Sequence, residues 1–66
     1  MTKELLAKAP KWHILQKSIA KYWYCEPELI TVEGEKVFQN GDHMKNFYVT
    51  CVNGVFKFYY EVKNNA

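Results

Sequence analysis

Few residues in this chain have the types and spacing that chemistry needs. A nucleophile with its base would come from Cys25, Cys51 or Ser18 beside His13 or His43, but no pair stands at a spacing typical of a catalytic dyad. Two Cys and two His make a four-ligand zinc set by type alone. No C-x₂₋₄-C or H-x₃₋₅-H pair accompanies them, so no metal site is expected. Glu26, Glu28, Glu33 and Glu35 crowd one short stretch. Paired carboxylates do acid–base work only inside a shaped pocket. In so short a chain they read instead as an acidic edge that repels strand pairing, or as a contact surface for a basic target. No cofactor motif and no catalytic residue emerge.

The lysines offer a different chemistry. Residues 1–24 hold five Lys and one Glu, and the remainder holds four Lys and six acids, so the net +2 is a sum of opposite halves. Arg is absent, which removes bidentate reading of guanine or phosphate. Nucleic-acid binding through a basic helix and a Tyr/Lys sheet face is therefore the second reading, behind protein binding.

These side chains need elements to position them. Sixty-six residues form one domain, which buries only about 60% of its unfolded surface and is marginally stable. The 48% apolar content is enough for a core. No 18-residue apolar run spans a membrane, and the interrupted N-terminal stretch is not a signal peptide, so the expected compartment is the cytoplasm. With only two cysteines, free buried thiols are expected rather than a disulfide.

Residues 1–24 read as helical. Thr2 is a candidate N-cap, and Pro10 either kinks one helix or starts a second. Trp12, Leu15, Ile19 and Trp23 recur at three- and four-residue steps as an apolar stripe, with His13, Lys17 and Lys21 on the opposite side. Glu26-Pro27 closes the helical part. From 28 to 62 the period is two. LITVE and KVFQ flank Gly34-Glu35, Asn40-Gly41-Asp42 makes the next turn, and KNFYVTCV and VFKFYYEV flank Asn53-Gly54. The expected fold is α+β: an N-terminal helix, kinked or split at Pro10, on a three- to four-stranded antiparallel meander.

Counting outward from Asn53-Gly54 sorts the last hairpin. Phe47, Val49, Cys51, Phe56, Phe58, Tyr60 and Val62 face the helix; Tyr48, Thr50, Val52, Val55, Lys57, Tyr59 and Glu61 face away. Ile30, Val32 and Val37 of the first hairpin are placed inward; Leu29, Thr31 and Phe38 are placed outward. One helix covers one sheet face, so Tyr48, Tyr59, Phe38, Thr50 and Lys57 are expected on an uncovered patch of the kind that marks interaction sites. The helix-face residues His13, Lys17 and Lys21 are a second candidate contact surface. The expected function is a small non-enzymatic protein-binding module. A bias toward Phe, Tyr, Ile, Asn and Lys suggests an AT-rich genome, and with the small size it fits a phage or mobile element. The expected partner is a larger host protein or complex, occluded as polymerase inhibitors and anti-CRISPR proteins occlude theirs. A homodimer through the outer sheet face is also open.

Overall fold

A computed structural model describes residues 2–62. A strand, β1 (Thr2–Ala9), leads into α1 (Trp12–Tyr22) and a short 3₁₀ turn at Pro27–Leu29. Four further strands follow: β2 (Ile30–Glu33), β3 (Lys36–Gln39), β4 (Asp42–Val52) and β5 (Val55–Val62). They form one antiparallel sheet in the order β1-β5-β4-β3-β2. The class is α+β, with one helix packed on a five-stranded antiparallel sheet.

The expected meander is β2–β5. The expected helix over residues 2–9 is instead β1, so Pro10 neither kinks nor splits a helix but sits in the turn between strand and helix. Two helical turns are too short to be stable alone, so tertiary pairing decides this segment. Its partner is β5, whose aromatic backbone would otherwise lie at an open edge. A bulge between Leu5 and Ala7 lets both Leu6 and Ala7 pack on the core, while Leu5 and Lys8 keep to the outer face.

The α1 stripe behaves as its spacing requires. Leu15 and Ile19 are fully buried, and Trp12 and Trp23 pack at the core margin. They meet Ala9, Ile30, Val37, Val49 and Phe58 on the inner sheet face. Around Phe58 the rings interlock: Trp23 lies edge-on to Phe47 at 5.0 Å and to Phe58 at 5.5 Å, and Phe47 stacks on Phe58 at 5.7 Å. At the other end Trp12 meets Phe56 at 6.2 Å. Gln16 Nε2 donates to the Ile30 carbonyl at 2.9 Å, tying α1 to β2.

The helix stops before Glu26-Pro27. The Tyr24 N–H bonds the Lys21 carbonyl and the Cys25 N–H bonds the Ala20 carbonyl at 2.9 Å, a Schellman closure with Tyr24 at φ +54°. Leu29 belongs to the 3₁₀ turn, so it is not the outward strand residue the hairpin count assigned. The turns follow their sequences. Asn40-Gly41 and Asn53-Gly54 have positive φ at both positions, as type I′ requires, and Gly34-Glu35 at the first only.

Candidate interaction surface

The register of the last hairpin is the one its turn dictates, pair for pair from Val52–Val55 to Phe47–Tyr60. Tyr48, Thr50, Val52, Val55, Lys57 and Tyr59 therefore share the face away from α1. Lys36 lies opposite Tyr48, which puts Lys36 and Phe38 on that same face. β1 then adds three residues that sequence reasoning assigned to a helix. Lys3 lies opposite Glu61, Leu5 opposite Tyr59 and Lys8 opposite Lys57. Their strand signal was the alternation Ala7-Lys8-Ala9, obscured by the adjacent leucines at 5 and 6.

This rearranges the expected patch. Tyr59, expected as an exposed anchor, is only 8% exposed. Leu5 flanks it, Tyr48 stacks on it at 5.7 Å, and Lys3 Nζ stands 4.3 Å from its ring centroid. Burial, and then the carboxylates of Glu35 and Glu61, push its phenol above the ordinary tyrosine value. Exposed apolar surface lies instead on Leu5, at 52%, and Val52, at 54%. Tyr48 and Phe38 are half-buried, and Phe38 lies 5.3 Å from the His43 ring.

A groove of about 610 Å³ crosses the outer face, lined among others by Leu5, Glu35, Val52, Lys57 and Tyr59. On the inner face, Trp12, Val32, Val49 and Phe56 wall a smaller recess of about 260 Å³. Cys51 borders both and is exposed. The buried inward thiol expected there is not found, because β3 ends at Lys36–Tyr48 and leaves that end of β4 without a neighbour on its side. Cys25 is half-buried, and neither cysteine is bridged.

The other candidate residues are dispersed. His13, Lys17 and Lys21 are exposed on the far side of α1. Glu26, Glu28, Glu33 and Glu35 are all exposed at the β2 edge and its flanking turns. Among the described residues, no three His, Cys, Asp or Glu side chains converge to hold a metal ion, and no helix is long and apolar enough to cross a membrane. No family model matches the chain, and no curated protein or solved structure is significantly similar to it.

Proposed function

We propose that this chain is a small, non-enzymatic protein-binding module that docks a larger partner on its outer sheet face and acts by occlusion. In this reading it works in a host cytoplasm as a phage- or mobile-element-encoded inhibitor, of the polymerase-inhibitor or anti-CRISPR kind. The observation that carries the reading is the uncovered outer face with its groove, flanked by Leu5 and Val52, both more than half exposed. Leu5, Val52, Tyr48 and Phe38 are its apolar contacts, and Lys3, Lys8, Lys36 and Lys57 supply steering toward an acidic surface.

Nucleic-acid binding is the second reading, favoured by one observation. β1 brings Lys3 and Lys8 onto the face that already holds Lys36, Lys57 and the paired tyrosines. Against it, the Tyr59 ring is already occupied by Lys3 and Tyr48, so that tyrosine offers no open face for a base.

The test is affinity capture from the source cell with the full chain and two variants. Leu5→Asp should lose the captured protein while retaining the circular-dichroism spectrum of the fold. The Lys17→Glu/Lys21→Glu pair, on the helix, should keep it. Equal capture by all three refutes the outer-face reading. Binding to single-stranded DNA with a steep salt slope would establish the nucleic-acid reading instead. A concentration-dependent dimer abolished by Leu5→Asp would make the partner a second copy.

A further inference from the structure

We infer that the partner contributes an extended segment that adds as a strand beside Thr50–Val52, placing an apolar side chain in the inner recess and acidic side chains in the outer groove. This rests on the protein-binding reading above and specifies how the partner is held.

The two strands flanking β4 end at different points. On the β5 side pairing continues to Val52–Val55 at the hairpin turn. On the β3 side the register ends at Lys36–Tyr48, and one further bond follows, from the Val49 N–H to the Glu35 carbonyl at 3.0 Å. There Gly34-Glu35 turns the chain back toward β2, and Thr50–Val52 face no strand on that side among the described residues.

Hairpin geometry fixes which backbone groups open into this slot. In a two-residue hairpin closed by Asn53-Gly54, Val52 and Thr50 direct their N–H and C=O toward β5. Val49 and Cys51 direct theirs the opposite way, and the Val49–Glu35 bond agrees with that alternation. The Cys51 N–H and carbonyl are thus a donor and acceptor aimed at an empty strand position.

The slot has a concavity on each face. The outer groove and the inner recess share Gly34, Val49 and Cys51 as lining. A strand lying in the slot sends alternate side chains to opposite faces. The inner recess is walled by Trp12, Val32 and Phe56 and suits an apolar side chain. The outer groove is lined by Lys3, Lys57 and Glu35. Glu61 lies opposite Lys3, so it is Lys57, beside Thr50 and opposite Lys8, that selects an acidic neighbour. The sheet's outermost edges are guarded by comparison. β1 carries a bulge, exposed lysines and a following proline, and β2 is four residues long with Glu33 at its end. Exposed Cys51 and Val52 give the slot no such protection. This is strand addition at an internal gap rather than at an outer edge.

A displayed library of random nine-residue peptides, selected on the full chain, tests this. Enriched sequences should carry an apolar residue flanked by Asp or Glu. The leading peptide should slow amide exchange at Cys51 about tenfold or more, with Thr50 and Val52, already bonded to β5, changing little. Cys51→Pro removes the slot's donor while sparing the β4–β5 ladder, and should weaken the peptide about tenfold. Lys57→Glu, at an exposed position, should switch the selected flanks to Lys or Arg. Enriched peptides that perturb Leu5 and Tyr48 but leave Cys51 exchange unchanged would overturn strand addition and leave outer-face docking intact. A selection that enriches nothing would also overturn it. Failure of the protein-binding reading itself would appear separately, as capture insensitive to Leu5→Asp.

Discussion

The strand assignment of residues 2–9 can be tested through one pair of charges. Lys8 and Lys57 lie directly opposite each other on the outer face, an arrangement that disfavours pairing. Taking the two ammonium groups as roughly 6–8 Å apart in water gives a repulsion of about 0.5–0.7 kcal/mol, reduced to about half by 0.1 M salt. Reversing either charge converts repulsion into attraction. Lys8→Glu or Lys57→Glu alone should therefore stabilise the fold by about 1–1.4 kcal/mol at low salt, which is several degrees in Tm for a domain of this size. Reversing both restores a like-charged pair, so the double variant returns toward the parent. The coupling energy of the cycle contains the pair term four times and should reach about 2–3 kcal/mol at low salt, and about half that at 0.1 M. Urea unfolding of all four proteins at low and at 0.5 M salt measures it, and high salt should remove most of the coupling. Were residues 2–9 a helix, Lys8 would have no fixed relation to Lys57. Additivity within about 0.3 kcal/mol at low salt would refute the β1–β5 register.

Three further outcomes are expected. Phe58→Ala removes the ring at the centre of the Trp23–Phe47 cluster and should cost about 3–5 kcal/mol. Against a total of about 3–10 kcal/mol for this length, near-ultraviolet circular dichroism should be lost or the urea midpoint should collapse. Tyr24 is 97% exposed and holds φ +54° at the helix end, so Tyr24→Gly should stabilise by about 0.5–1 kcal/mol, read as a higher Tm. Tyr59 has a phenol pKa raised by burial and neighbouring carboxylates, so the folded state holds its proton longer than the unfolded chain does. Its contribution is fully present below pH 10 and is lost as pH rises through the folded value. Tyr59 should therefore be late among the tyrosines to ionise in an absorbance titration, and Tyr59→Phe should weaken the alkaline loss of stability.

What was legible in the sequence follows from how local each signal is. Asn53-Gly54 fixes a type I′ turn, and a period of two then sets every pair down to Phe47–Tyr60 without further information. The stripe Trp12-Leu15-Ile19-Trp23 is equally self-contained. Residues 2–9 carry conflicting signals, a threonine and alanines that suit a helix beside an alternation that suits a strand, and β5 resolves them. The burial of Tyr59 could not be read, because Leu5 and Lys3, which cover it, come from that misassigned segment. The exposure of Cys51 depends on where β3 ends against β4. Between Phe38–His43 and Lys36–Tyr48, β4 uses five residues where β3 uses two, an irregularity that includes Asn46 at φ +73°. No turn motif announces that shift.

The same topology changes the meaning of the charge split. Along the chain, five of nine lysines fall in the first 24 residues and six of seven acids in the rest, which argued for a basic helix on an acidic sheet. Folding redistributes them. Lys3 and Lys8 lie on β1 and Lys57 on β5, at one side of the strand order, whereas Glu33, Glu35, Glu26 and Glu28 gather at the β2 side. The sheet thus has a charge asymmetry of its own, moderated by Glu61 opposite Lys3 and by Lys36 on β3, while α1 keeps Lys17 and Lys21 on its far side. An acidic segment approaching the outer face is drawn toward β1 and β5 and repelled from β2 and its turns. The open slot at Thr50–Val52 lies between these two sides, where β3 has ended and Lys57 is the cross-strand neighbour of Thr50. Charge thus favours one side of the slot for the acidic residues of an occupant, and backbone alternation fixes which residues of that occupant turn toward the apolar recess.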